Sequence, residues 1–287
     1  MDHGPHVLRG ITYLVCALLT FSCLDTTAKW LGQYYASPTV VWVRYAIQAA
    51  LMVVVLAPRM GWGLVRTRNL RMQVLRGTIL AASSLVFFEA IRTMPLPEAS
   101  AISFLSPMLI AALAGPILHE RVTRSTWVAL GLGFTGVLFI VRPGTDVFTW
   151  TSALPFACAL MIALYQVLTR KMAGIDPALT TLFYPALIGA LVVPVAFPGS
   201  MQLPHGAAHA VLFCLVGLLG GIGHFLLIKA FENAPASVLA PFVYVQLAGA
   251  LVLSTVVFGH FPDGWSLFGM AVIAGSGLSI ALRYWPR

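Results

Sequence analysis

The sequence predicts an all-α integral membrane protein of ten transmembrane helices, arranged as two inverted five-helix repeats with both termini on the cytoplasmic side. Three observations carry that prediction. Hydrophobic residues make up 59% of the 287 positions and charged residues only 9%, whereas about a quarter of the residues in soluble domains are charged. The apolar residues gather into ten stretches, most of them near the roughly 20 residues a helix needs to cross about 30 Å of hydrocarbon. The pattern then recurs after about 140 residues.

Inside a bilayer every backbone N–H and C=O must bond within its own segment, so each stretch reads as a helix. Spans at 10–31, 39–57, 74–94, 97–118 and 126–141 form the first copy, and 149–170, 178–196, 208–231, 238–258 and 265–283 form the second. The first span is too long for a signal-peptide core, contains Asp25 and Lys29, and lacks a small-residue cleavage site in the right place, so it belongs to the mature chain. Connections are short and rich in Pro and Gly, as at Arg142-Pro143-Gly144 and Phe197-Pro198-Gly199-Ser200. Gly217, Gly220, Gly221 and Gly223 give the eighth span a nearly bare face suited to close helix contact. Pro107 in the fourth span and Pro241 in the ninth each remove a backbone hydrogen bond, and both are hinge candidates.

The repeat is visible residue by residue. Glu89-Ala90 and Lys229-Ala230 close the third span of each copy, and Phe104 and Tyr244 follow at equivalent places in the next span. The segment 136–142 recurs as 277–283, and Asp25 and Lys29 fall opposite Gln166 and Arg170. The division is therefore placed at 1–144 and 145–287. Five crossings leave the chain on the other side of the membrane, so the second copy must insert upside down relative to the first, the plan of many secondary transporters.

Orientation follows from the cationic loops, which stay in the cytoplasm. One set of span ends holds Arg9, Arg59, Arg66, Arg68, Arg71, Arg76, Arg121, Arg124, Arg170, Lys171, Lys229, Arg283 and Arg287; the other holds only Arg92 and Arg142. The net charge of +8 thus reflects topology. Basic residues scattered over short loops do not make a nucleic-acid face.

Ionisable groups within apolar spans are costly and are functional candidates by default. Asp25 and Lys29 lie four residues apart on one helix face, where they can pair. With Arg44 and Glu89 they are expected to form a charge network in the outer half of the bundle, in which Asp25 and Glu89 are the deeply placed acids and candidate proton relays. Asp25→Asn or Glu89→Gln would then abolish proton-coupled transport. The second copy supplies Tyr165, Gln166, His224, Tyr244 and Gln246, and with Phe21, Asp25, Glu89 and Phe104 these make up the expected substrate cavity. Such rings could stack planar substrates or hold cations over their faces.

Several patterns point to no chemistry. Cys16, Cys23, Cys158 and Cys214 lie in apolar spans without metal-ligand spacing and read as small core residues. Gly131-Leu132-Gly133-Phe134-Thr135-Gly136 matches a dinucleotide fingerprint, but it sits inside an apolar span, where small residues serve packing. His119-Glu120-Arg121 lacks the second histidine of a zinc motif. No nucleophile and base, metal cluster or cofactor motif has the required spacing, so no catalytic residue, metal or cofactor is expected.

The stretch Met94-Pro95-Leu96-Pro97-Glu98-Ala99-Ser100-Ala101-Ile102-Ser103-Phe104-Leu105-Ser106-Pro107, followed by His119-Glu120-Arg121 and Gly133-Phe134-Thr135-Gly136-Val137, resembles the EamA domain of the drug/metabolite transporter superfamily. Its counterpart is Ala234-Pro235-Ala236-Ser237-Val238-Leu239-Ala240-Pro241-Phe242-Val243-Tyr244, with Gly259-His260-Phe261-Pro262-Asp263 and Gly275-Ser276-Gly277-Leu278. The resemblance covers nearly the whole chain. It implies ten helices in two inverted halves around a cavity lined mainly by spans one, three, four, six, eight and nine. One departure is that the acidic position Glu120 corresponds to His260 in the second copy.

The functional expectation is a secondary-active transporter of the bacterial inner membrane that exports small metabolites, with amino acids, aromatic ones included, as the leading substrates. Vitamin uptake or efflux of aromatic cationic drugs is the alternative within transport, and a non-transporting membrane enzyme or scaffold is the alternative class. Expected partners are the small-molecule substrate, membrane lipid and protons as a candidate coupling ion, with no nucleic acid, in a monomer or weak dimer.

Overall fold

The computed structural model describes residues 4–118, 124–142, 150–172, 175–234 and 239–283. Among them every regular element is helical: α1 (Gly4–Leu31), α2 (Ser37–Met60), α3 (Leu70–Thr93), α4 (Leu96–Ser103), α5 (Ser106–Leu118), α6 (Arg124–Val141), α7 (Ala153–Lys171), α8 (Ala178–Ala196), α9 (Ala207–Asn233), α10 (Val245–Phe258) and α11 (Gly264–Arg283), with short 3-10 turns between some of them. Among the described residues six segments are long and apolar enough to cross a membrane: Val7–Leu31, Ser37–Leu64, Leu70–Thr93, Trp150–Lys171, Leu179–Ala196 and Ala207–Asn233. Shorter apolar helices occupy Leu96–Ile110, Leu130–Val141, Phe242–Phe258 and Gly264–Ser276. Each expected span has its helical counterpart. His119, Glu120 and Arg121 lie outside the described residues.

Two spans are broken. The fourth divides into α4 and α5 at Phe104 and Leu105, where Phe104 N–H bonds the carbonyls of Ser100 and Ala101 and Leu105 N–H bonds Ile102 O at 3.1 Å. Pro107 is the second residue of α5 and has no N–H to continue the ladder from α4, so the chain tightens ahead of it. The ninth span opens with a 3-10 stretch, Ala240–Tyr244, whose second residue is Pro241, before α10 begins. Both expected hinge prolines therefore mark irregular backbone.

Helix packing repeats when the two halves are exchanged. Helix α1 packs on α9 as α7 packs on α3; α2 packs on α9 as α8 packs on α3; α1 packs on α10 as α7 packs on α5. The pairs α2–α8 and α6–α11 map onto themselves. Close approach is enforced by glycine: a Cβ on Gly217 of α9 would lie 2.3 Å from Ile47 Cβ, and one on Gly136 of α6 would lie 2.7 Å from the Gly269 carbonyl. Gly136 thus does packing work inside the false dinucleotide pattern.

One apolar core joins α1, α2, α3, α8 and α9 through Leu24, Val41, Tyr45, Phe88, Phe183 and Phe213. A second joins α4 to α6, α7, α10 and α11 through Ile102, Met108, Ile140, Ala159 and Ile273. The cysteines correct an expectation: Cys158 is buried, but Cys16, Cys23 and Cys214 are exposed. An outward thiol is compatible with hydrocarbon, so apolar neighbours in sequence do not separate a core position from a peripheral one.

Candidate functional site

Between the halves lies a polar cluster built on five helices. Helix α1 contributes Asp25, which is 8% exposed, and α2 contributes Arg44 and Gln48, 9% and 2% exposed and one turn apart. From the second half, Gln246 of α10 donates its Nε2–H to Asp25 Oδ2 at 3.2 Å. The Gln246 carbonyl accepts from Ser22 at 3.0 Å, which fixes α10 against α1. His224 of α9 meets the Phe21 ring edge-on, centroids 5.0 Å apart. The Phe21 ring fits there because Gly223, beside His224, has no side chain; a Cβ would lie 2.6 Å from it.

Arg44 is the hub. Its Nη1 reaches Ser84 Oγ of α3 at 3.3 Å, and its guanidinium sits over the Tyr45 and Phe88 rings at 5.1 and 5.8 Å. Two atoms in this cluster, Arg44 Nε and Gln48 Oε1, are buried without a hydrogen-bond partner.

At the end of the bundle opposite Gly4, Lys29 donates to the carbonyls of Ile91 and of Met94, the latter at 2.7 Å, and lies over Phe258. Glu89 accepts from Ser37 at 2.6 Å and from Arg92 at 3.0 Å, with 39% of its side chain exposed. Glu98 is buried and bonds His260 Nε2 through Oε1 at 3.1 Å. Beside them Tyr35 OH meets His209 Nδ1 at 2.7 Å and accepts from His205 N–H at 2.6 Å.

The end nearer Gly4 is tied by a different network. Arg76 of α3, fully buried, donates to Gln73 Oε1 at 2.7 Å and twice to Thr169 Oγ1 at 3.0 and 2.8 Å, with its guanidinium over the Tyr165 ring. Gln73 passes the connection to Asp176, in the loop between α7 and α8, at 2.9 Å. Burial opposes the charge on Asp176, but hydrogen bonds from Thr67, the Arg68 backbone and Gln73 outweigh it and hold the carboxyl below its ordinary range.

The expected site is thus partly redistributed. Phe21, Asp25, His224 and Gln246 come together, with Arg44. The rings of Phe104 and Tyr244 meet at 5.7 Å as a pair of their own, at the breaks in the fourth and ninth spans. Tyr165 belongs to the Arg76 network, and Gln166, the next residue on α7, is exposed. The expected network of Asp25, Lys29, Arg44 and Glu89 is replaced by four separate pairings: Asp25 with Gln246, Arg44 with Ser84, Lys29 with backbone carbonyls, and Glu89 with Ser37 and Arg92. Lys29 takes backbone carbonyls because its long stem carries the ammonium past Asp25 to the end of α3, and Glu89 sits at the rim beside Arg92. Among the described residues the second buried acid is therefore Glu98, not Glu89.

Gln48, the contact between Glu98 and His260, and the Arg76 network escaped sequence reasoning. For Gln48 the signal was available: an amide one turn from Arg44 in an apolar span. The contact of Gln73 with Asp176, 103 residues apart, had none.

The sequence profile of the EamA-like transporter family matches the chain twice, at residues 8–142 and 149–282. The chain belongs to that family. It is accordingly a member of the drug/metabolite transporter superfamily and an integral, multi-pass membrane protein. Among curated relatives, a riboflavin transporter of Rhizobium johnstonii is 28% identical over 94% of this chain and 90% of its own length. An S-adenosylmethionine uptake transporter of Rickettsia prowazekii is 28% identical over 95% and 92%, and a riboflavin transporter of Vibrio cholerae is 28% identical over 98% and 94%. A solved crystal structure of a protein 18% identical to this one superposes over the full length of both chains with a TM-score of 0.68, which shows the shared fold.

Proposed function

We propose that this EamA transporter imports a bulky heteroaromatic cofactor-type molecule, with riboflavin as the leading substrate, across the bacterial cytoplasmic membrane. The observation that carries the reading is the polar cluster shared by both halves, in which Asp25 is held by Gln246 and Arg44 by Ser84 next to the Phe21 and His224 rings. Rings and amides of that kind suit a planar solute with polar edges. The full-length relatives named for riboflavin transport support the same choice. Amino-acid export, expected from the same rings and charges, gives way to uptake on that ground.

The second reading is S-adenosylmethionine, whose sulfonium would find a counter-charge in Asp25 and whose uptake names several relatives. Transport proceeds by alternating access between the inverted halves, 1–144 and 145–287, with the arginine-rich end in the cytoplasm. Arg76, Gln73 and Thr169 close the cytoplasmic end, and the breaks at Phe104 and at Ala240–Tyr244 supply the hinges near Pro107 and Pro241. Asp25 is the proton-relay candidate; Glu89, paired at the rim, is not. The test is growth of a riboflavin-auxotrophic bacterium on low riboflavin: expression of this chain lowers the requirement, and an unchanged requirement despite membrane expression refutes the reading.

A further inference from the structure

The turn between α2 and α3 stands apart from the polar cluster. Gly61, at φ 51°, ends α2 in a conformation that suits a residue without a side chain, and a 3-10 turn over Gly61–Leu64 follows. Four hydrogen bonds dock this turn on the second half. Thr180 Oγ1 donates to the Gly63 carbonyl at 3.1 Å and Tyr184 OH to the Val65 carbonyl at 2.7 Å, while Thr67 Oγ1 and the Arg68 N–H donate to Asp176, the latter at 2.9 Å. Leu64 is buried beneath the turn, whereas Trp62 is 87% exposed. Residues 58–72 hold four arginines and no acid. Arg59, Arg66 and Arg71 are exposed, and none of their side chains has a hydrogen bond or ion pair among the described residues. Two of them continue an apolar surface. Arg59 follows Val55 by four residues on α2, and Arg71 precedes Leu75 by four on α3, so each cation shares a helix face with an exposed aliphatic side chain.

We infer that Arg59, Arg66 and Arg71 form a docking platform for the headgroup of an anionic phospholipid, whose acyl chains lie along the aliphatic faces at Val55 and Leu75. Guanidinium groups match the geometry of phosphate oxygens, and an exposed tryptophan is at home at headgroup level. The apolar faces decide the occupant. An acidic protein or a free anion would pair with the arginines and leave those faces uncovered, whereas a lipid covers both. The hydrogen bonds to Thr180, Tyr184 and Asp176 fix the turn on the second half, so the platform exists before the lipid arrives. Orientation by positive charge requires cations near the cytoplasmic ends of the spans, but it requires neither their concentration on one docked turn nor their alignment with lipid-facing side chains. The inference rests on the orientation that puts the arginine-rich end in the cytoplasm, and it holds for whichever solute is carried.

The experiment titrates the full-length protein, purified in a non-ionic detergent, with dioleoyl phosphatidylglycerol or with dioleoyl phosphatidylcholine, and counts bound lipid by native mass spectrometry. The two lipids share their acyl chains and differ in net charge. Each arginine facing an anionic lipid surface is expected to contribute about fivefold, so the combined variant Arg59→Gln, Arg66→Gln, Arg71→Gln should bind phosphatidylglycerol more than about tenfold more weakly. A control that removes two cations elsewhere at the same end, Arg9→Gln with Lys171→Gln, should stay within about twofold of wild type. Equal binding of the two lipids by the wild-type protein overturns the inference, and it does so even if the combined variant fails to fold. Unchanged phosphatidylglycerol binding in the folded variant, or an equal loss in the control, also overturns it. Displacement of the lipid by free glycerophosphate would overturn it as well, since the apolar faces would then contribute nothing. Uptake is not read in any arm, so failure here is distinct from failure of the import reading.

Discussion

Replacing Arg76 by methionine removes the guanidinium and keeps the stem. The residue is fully buried and donates three hydrogen bonds, one to Gln73 and two to Thr169, besides covering the Tyr165 ring. The loss has two parts. Gln73 Oε1 is left without its partner, at about 1–3 kcal/mol, and the cation–π contact forfeits about 0.5–2 kcal/mol. Against this, methionine has no charge to desolvate, and no opposing carboxylate is stranded, because Asp176 keeps Thr67 and the Arg68 backbone. A net loss of about 2 kcal/mol follows, equivalent to a shift of roughly 30-fold in the equilibrium between the closed and open forms of this end. Hydrogen exchange followed by mass spectrometry reads it directly: peptides covering 65–77 and 175–182 in Arg76→Met exchange on the order of tenfold faster, while peptides from α6 and α11 do not change. Unchanged exchange at 65–77 in a folded variant would refute the view that this network closes the end.

Gly217→Val places a side chain on Ile47, whose Cβ is 2.3 Å from the new Cβ position; overpacking of about 1–3 kcal/mol or more should lower the melting temperature in detergent, whereas Gly131→Ala, with no atom within 4 Å, should leave it unchanged. Asp25→Asn should remove the dependence of uptake on an imposed pH gradient, and Glu89→Gln, at the rim, should retain it; equal behaviour of the two variants contradicts the assignment of the relay. Hydrogen bonds from Arg142 and the Ser266 backbone hold the Asp263 carboxyl down at about 2. Because its folded value lies below the ordinary one, the stabilisation it gives is complete above about pH 4 and is lost as the pH falls towards 2. Asp263→Asn should therefore flatten the acid side of the melting profile between those values, with a small effect at neutral pH because the Asp263 carboxyl is half-exposed.

The helices were legible because hydrocarbon leaves the backbone no alternative. Span ends from sequence fall within a few residues of the helix ends; the seventh, 178–196, coincides with α8. The breaks in the fourth and ninth spans were foreshadowed by Pro107 and Pro241. Which side chains meet was less legible, since helix rotation is set by neighbours and leaves no mark in the sequence. Asp25 and Lys29, on one face four residues apart, look like a pair in sequence, yet Lys29 reaches the carbonyls ending α3 while Asp25 is held by Gln246 from the other half. The length of a lysine stem decides that, and spacing does not report it. Glu89 was misread for a related reason: counted among the deeply placed acids, it sits near the end of α3, where its partner Arg92 stands one turn further out and draws it to the rim. Phe104 and Tyr244 were legible as counterparts in the two copies, whereas their meeting as a pair came only from the structure.

The measurement that bears most on the proposed import is uptake of labelled riboflavin into proteoliposomes containing the purified protein, with labelled phenylalanine as comparison. Saturable riboflavin uptake, absent from protein-free vesicles and strongly reduced in Asp25→Asn, is the predicted result. Accumulation of phenylalanine with no riboflavin uptake would contradict it and restore amino-acid transport as the function.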